Sequence, residues 1–227
     1  MMELRAERIS QDFLRYSAAN GYFMAVQETD FCLRGGELTV ITGRSGSGKS
    51  TLLHMLGGLL PPVTGCVLLD GADLYALGED ARARLRNRRI GMVPQCLMTL
   101  SALTVRENIL LPALLYGEAE AAAPYADELM ERLGIRKLGA VYPSELSGGE
   151  LRRITMARAL VRRPGILLAD EPTGDLDDAN TQLVLTLLRS AADGGTAVLL
   201  VTHEREAAHY ADRHYTMDAG VLTSSNL

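Results

Sequence analysis

The 227-residue chain contains no tryptophan, three phenylalanines and three cysteines. Nowhere does an apolar run approach the roughly eighteen residues that a membrane-crossing helix needs. The N-terminus, Met1-Met2-Glu3-Leu4-Arg5-Ala6-Glu7, also lacks the apolar stretch of a signal peptide, so the expectation is a cytoplasmic protein that could still sit on a membrane protein. Cys32, Cys66 and Cys96 are odd in number and far apart, with no C-x-x-C spacing and no companion Cys/His ligand pattern. That excludes a disulfide framework and a zinc site, and leaves the expectation of buried free thiols in a reducing compartment. Positive charge is not in excess either: 23 basic residues stand against 28 acidic ones, for a formal charge of −5. Such a balance argues against nucleic acid as the main partner. Internal repeats and low-complexity tracts are absent, and the length suits one folding unit with an insertion, able to bury a core unaided.

What is present begins at residues 43 to 51, Gly43-Arg44-Ser45-Gly46-Ser47-Gly48-Lys49-Ser50-Thr51. This is the G-x-x-x-x-G-K-S pattern of a phosphate-binding loop, and its context is the one the chemistry requires. A β-rich run, Glu37-Leu-Thr-Val-Ile-Thr42, precedes it, and an apolar run, Leu52-Leu-His-Met-Leu56, follows. Gly43, Gly46 and Gly48 allow a tight turn with N–H groups aimed inward, and a helix starting near Gly48 adds its positive dipole end. Such a nest favours a polyanion. Lys49 is placed to reach β and γ phosphates, and the Ser50 hydroxyl to ligate Mg²⁺.

Around this loop, residues 1 to 42 alternate apolar and polar with turn signals at Asn20-Gly21 and Gly35-Gly36, which predicts antiparallel strands. Cys66-Val-Leu-Leu69 before Asp70-Gly71 predicts a further strand and turn. From about Asp80 the pattern turns helical, and the basic run Arg82, Arg84, Arg86, Arg88, Arg89 reads as a solvated helix face in preference to a docking patch. Residues 100 to 140 carry Leu, Ala and Glu at helical spacing, with breaks expected at Pro112, Gly117, Pro124, Gly134 and Gly139. Two apolar runs, Gly165-Ile-Leu-Leu-Ala169 and Thr196-Ala-Val-Leu-Leu-Val201, then alternate with helical segments at about 150 to 163, 178 to 192 and 204 to 211. Continuous apolar strands alternating with helices predict a parallel sheet covered on both faces.

The first of those strands ends in Asp170-Glu171-Pro172, which sets two carboxylates at the C-terminal edge of the sheet, where open α/β folds bind ligands. Asp170 suits a Mg²⁺ ligand and Glu171 a general base that polarises water. Leu146-Ser147-Gly148-Gly149-Glu150 precedes a helix, with Ser147 as a cap and two glycines baring N–H groups for an anion.

With these three elements the chain resembles the nucleotide-binding subunit of an ABC transporter, whose hallmark is Leu-Ser-Gly-Gly-Gln; Glu150 departs from it at the final position. The resemblance implies an α/β P-loop NTPase core with a mainly parallel sheet, an N-terminal antiparallel β subdomain and an inserted α-helical subdomain. Residues 1–95 and 155–227 would form core and β subdomain, and residues 96–154 the helical part with the signature segment. It implies ATP and Mg²⁺ as cofactors, residues 43 to 51 around the phosphates, and Lys49, Glu171, His203 and Gln95 in catalysis. Ser50, Gln95 and Asp170 would serve the metal, Gln95 as the Q-loop glutamine and His203 as the switch histidine on the γ-phosphate. Thr173-Gly174-Asp175-Leu176-Asp177 fits the D-loop. Tyr16, 27 residues before Gly43, would stack on adenine, with Phe13 and Tyr22 as competitors. His54, His209 and His214 are left structural, and the C-terminal segment from Tyr215 to Leu222 resembles the family's closing hairpin.

The resemblance further implies a head-to-tail homodimer enclosing two ATP molecules, in which Ser147, Gly148, Gly149 and Glu150 of each copy touch the partner's nucleotide. Closure would move a membrane permease, holding the chain at the inner face of the cell membrane. Leu103-Thr-Val-Arg-Glu-Asn108-Ile-Leu-Leu-Pro112 and Glu171-Pro-Thr-Gly174 resemble the subfamily of macrolide exporters, lipoprotein-releasing ATPases, antimicrobial-peptide exporters and the cell-division ATPase. The implied function is ATP hydrolysis driving export or extraction of a drug, peptide or lipoprotein. An ATP-driven mechanical or regulatory switch without solute transport is the alternative.

Overall fold

The computed structural model describes residues 2–14, 21–174 and 176–225. It is built on two sheets. In the first, β1 (Glu3–Leu14), β2 (Tyr22–Arg34), β4 (Thr64–Leu69) and the short β5 (Ala72–Asp73) lie in the order β2-β1-β4-β5, all antiparallel. In the second, β3 (Leu38–Thr42), β6 (Ile90–Val93), β7 (Ile166–Asp170), β8 (Ala197–Thr202), β9 (Arg213–Asp218) and β10 (Val221–Ser225) lie in the order β10-β9-β3-β8-β7-β6. All of its neighbours are parallel except β9 and β10, which form a closing hairpin.

The helices are α1 (Lys49–Leu56), α2 (Glu79–Arg89), α3 (Val105–Leu114), α4 (Ala119–Arg132), α5 (Gly148–Leu160) and α6 (Asp178–Asp193). None of the described helices is long and apolar enough to cross a membrane. Period-two alternation in the parallel strands serves two cores. Leu38, Leu167, Val198 and Leu200 face one that also holds Ile109, Leu129, Ile154 and Leu188 of the helices. Ile41, Leu168, Leu199 and Val201 face the other, shared with α1 and the antiparallel sheet through Leu52, Met55, Leu4 and Val67. The helical segment α3–α5 therefore has no core of its own but extends one face of the parallel sheet.

Three expectations need correction. Pro112 and Pro124 lie inside α3 and α4 instead of breaking them. Pro112 comes two residues before the end of α3, and its carbonyl accepts from Asn87 Nδ2 (3.0 Å) and Arg162 Nη1 (3.1 Å). The basic run on α2 is not simply solvated. Arg86 Nη1 donates to the Gly58 carbonyl at 2.9 Å, Arg88 and Arg89 pair with Glu118 and Asp70, and Arg82 and Arg84 lie over the rings of Tyr75 and Tyr116. Finally, all three cysteines are free thiols, but none is buried: Cys32 and Cys66 are partly exposed and Cys96 is exposed. Cys32 sits between buried Phe31 and Leu33, so strand alternation turns it away from the core.

Candidate nucleotide site

The loop between β3 and α1 is wedged between two backbones. A Cβ on Gly43 would lie 2.2 Å from the Met217 carbonyl oxygen of β9, and one on Gly48 would lie 2.1 Å from that of Ala25 on β2. Gly43 is thus required by close approach, Gly48 by close approach together with a left-handed φ of 107°, and Gly46 by its φ of 78° alone. The closing hairpin takes part as well: its Gly220 N–H donates to the Ser47 carbonyl at 3.0 Å, a brace that the sequence pattern did not reveal. Gly48→Ala is expected to cost about 3 kcal/mol, since the backbone can neither hold that φ nor make room. Thermal unfolding should show a fall in midpoint of roughly 6–12 °C, at about 2–4 °C per kcal/mol for this size.

Phe13, Phe23, Ala25, residues 45–51, Gln95 and Glu171 line one cavity of about 320 Å³. Lys49 is 5 % exposed, and its Nζ donates to the carbonyls of Gly43 (2.8 Å) and Arg44 (3.1 Å). The same ammonium lies 3.6 Å from Glu171 Oε1. The other carboxylate oxygen of Glu171 faces His203, accepting from the backbone N–H at 3.2 Å and lying 2.9 Å from Nδ1. Glu171 itself has a left-handed φ of 46°, uncommon outside glycine, just beyond the end of β7. Arg44 and His203 also line a neighbouring cavity of about 640 Å³ with His214, whose Nε2 lies 2.9 Å from Thr42 Oγ1.

Asp170 is buried, and burial raises its carboxyl above the usual carboxylate range against the opposing pull of the Ser50 hydroxyl and His54. Among the described residues, Asp170 Oδ1 and Ser47 Oγ are buried without a hydrogen-bond partner. A protein seldom leaves such atoms unpaired, and Ser47 lines the phosphate cavity while Asp170 ends the strand that leads to Glu171.

The signature segment lies elsewhere, since none of residues 147–150 lines the phosphate cavity. Ser147 caps α5 in a reciprocal box. Glu150 Oε2 accepts from the Ser147 N–H at 2.8 Å and its hydroxyl at 2.7 Å, and the Glu150 N–H reaches back to Ser147 Oγ at 3.4 Å. These bonds hold the Glu150 carboxyl below its ordinary range. Asp177 likewise caps α6, accepting from the Asn180 N–H at 2.8 Å, and Arg153 of α5 donates to the Asn180 amide oxygen. Tyr16 and Asp175 lie outside the described residues; of the two competing aromatics, Phe13 lines the phosphate cavity, and its cross-strand neighbour Phe23 lines it too.

A phosphate loop, a capped signature helix and an acidic strand end follow one another in the chain, and residues 26–174 match a family model described as ABC transporter. The chain belongs to the ABC transporter family. Similar curated proteins include the lipoprotein-releasing system ATP-binding protein LolD of Aquifex aeolicus, 40 % identical over 218 residues, with 96 % of this chain and 94 % of that protein covered. The protein of the same name in Pseudomonas syringae pv. tomato is 45 % identical over 195 residues, covering 85 % and 86 %. Among solved structures, the dimeric ABC transporter cassette MJ0796 matches with a TM-score of 0.86 at 29 % identity, covering 96 % of this chain and 95 % of that one. Its post-hydrolysis form with bound ADP and phosphate matches at 0.87 and 27 %, covering 99 % of both. This ABC cassette is therefore an ATP-binding, ATP-hydrolysing domain, and its α/β fold is that of the family.

Proposed function

We propose that two copies of the chain close head to tail on two ATP molecules, residues 147–150 of each capping the nucleotide held by residues 43–51 of the other, and that hydrolysis reopens them. The observation that carries the reading is the placing of Glu171 over the phosphate loop, between the Lys49 ammonium and His203. Lys49 binds β and γ phosphates, which draws its charge from Glu171 and leaves that carboxylate to take a proton from the attacking water. His203 orients Glu171 and meets the γ-phosphate. Gln95 reaches the same cavity from the end of β6, and the boundaries of the helical subdomain fall near residues 96 and 154.

The residues present fit Mg²⁺. Asp170 Oδ1 is a buried acceptor without a protein partner, and Ser50 stands beside the same carboxyl. Among the described residues no cluster of three His, Cys, Asp or Glu offers an all-protein cage, as suits an ion shared with substrate phosphates and water. Asp170, Ser50 and Gln95 would hold it, and it would neutralise charge on the phosphates. Phe13, 42 % exposed, is the described aromatic best placed to stack on adenine. Phe13→Ala is expected to weaken ATP binding roughly tenfold with little change in kcat, since base stacking contributes about 1–3 kcal/mol; a nucleotide titration and steady-state kinetics check it.

The partner is a membrane permease with few membrane helices and a large external domain, and the work done is extraction of a lipid-anchored protein, in line with the lipoprotein-releasing relatives. Tagged chain drawn from native membranes in mild detergent should bring such a permease with it. The complex in proteoliposomes should then release an acylated protein to an acceptor only with ATP. Capture of ribosomes alone, or ATP turnover without release, would overturn this assignment.

A further inference from the structure

We infer that Arg152 is a positioning residue for Gln95: it ties the loop carrying that glutamine to the signature helix. This rests on the proposed role of Gln95 at the phosphates. Arg152 stands in the second turn of α5, five residues beyond the cap Ser147, and is only 6 % exposed. Its Nη1 donates to the Gln95 carbonyl at 3.0 Å and to the Pro94 carbonyl at 3.3 Å. Those two residues are the first to leave β6, the edge strand of the parallel sheet, and the chain from Gln95 to Met98 is exposed. An exposed loop is thus held at its root by a buried guanidinium whose planar fork presents donors in fixed directions.

The consequence follows from rigidity. From Ser147 to Arg152 the chain is a cap and the opening turns of an α-helix, so a shift of the Gln95 backbone is passed to the signature segment with little slack. If phosphate or metal draws the Gln95 side chain inward, the N-terminus of α5 moves with it. By linkage, a signature segment engaged by the partner copy biases Gln95 toward the phosphates. Arg153, the next residue, donates to the Asn180 amide oxygen in the first turn of α6, so the first turns of α5 are joined both to the segment following β6 and to α6.

The test is a double-mutant cycle in the intact ATPase with Arg152→Leu and Gln95→Ala. Each single change is expected to lower kcat about tenfold and to raise the Mg²⁺ concentration for half-maximal rate, with the Kd for Mg²⁺-free ATP unchanged. The double variant should be no slower than Gln95→Ala, because Arg152 acts through that residue. Losses that multiply, or a leucine variant with normal kcat and Mg²⁺ response, would overturn the inference while leaving the role of Gln95 standing. A Gln95→Ala enzyme with normal kcat would remove that role and the inference together. Thermal unfolding verifies the fold of each variant; should the leucine variant not fold, Arg152→Met, which keeps a long stem but no donor, enters the same cycle with the same criterion.

Discussion

Glu171→Gln is expected to slow ATP hydrolysis at least a hundredfold while ATP still binds, so that ATP-held dimers accumulate. The substitution is nearly isosteric, and the amide oxygen can still accept from the His203 N–H that now lies 3.2 Å from the carboxylate. What it cannot do is take a proton from water, a contribution typically worth about 10²–10⁴ in rate. It also removes the charge that faces Lys49 at 3.6 Å, leaving the ammonium wholly to the phosphates, which favours binding. Phosphate release and size-exclusion chromatography with Mg²⁺-ATP give the two readouts. An unchanged hydrolysis rate would refute the base assignment, and a slow monomer would refute the dimer.

Lys49→Ala is expected to abolish measurable ATP binding. The ammonium is buried, and hydrogen bonds to charged groups contribute about 1.5–3 kcal/mol each, so loss of two phosphate contacts raises Kd roughly 10²–10⁴-fold. The variant also strips Glu171 of its cation, but that carboxylate keeps the His203 backbone N–H and imidazole, so the fold should persist. A fluorescent-nucleotide titration reads binding, and circular dichroism confirms the fold. Wild-type affinity in a folded variant would place the phosphates elsewhere.

The parts of this architecture that were legible in the sequence are those written in short patterns. Glycine, lysine and hydroxyl spacing marked residues 43–51, and runs of apolar residues marked β7 and β8. The Asp170-Glu171 pair was placed correctly because it closes one such run. What escaped were features that depend on neighbours remote in sequence. The brace from Gly220 to Ser47 joins segments far apart in sequence, and no local pattern announces it. The arginines of α2 read as a solvated face because their partners, Gly58, Asp70 and Glu118, lie on other elements. Pro112 and Pro124 read as breaks because the propensity rule knows nothing of the tertiary contacts that hold α3 and α4 around them. The resemblance implies Tyr16 for the adenine, with Phe13 and Tyr22 as competitors; Tyr16 lies outside the described residues, and the pairing of Phe13 with Phe23 beside the phosphate loop is a contact that no local pattern announces.

The left-handed backbone at Glu171 sets local fitness for folding against fitness for chemistry. A residue with a Cβ at this φ carries strain of order 1–3 kcal/mol, which glycine would relieve and asparagine lessen. Selection for stability alone would drift toward those residues, and each would lose the carboxylate that faces Lys49 and His203. Thermostabilising libraries of this cassette should accordingly yield inactive winners at position 171, and any screen for robust variants has to be run with turnover in view.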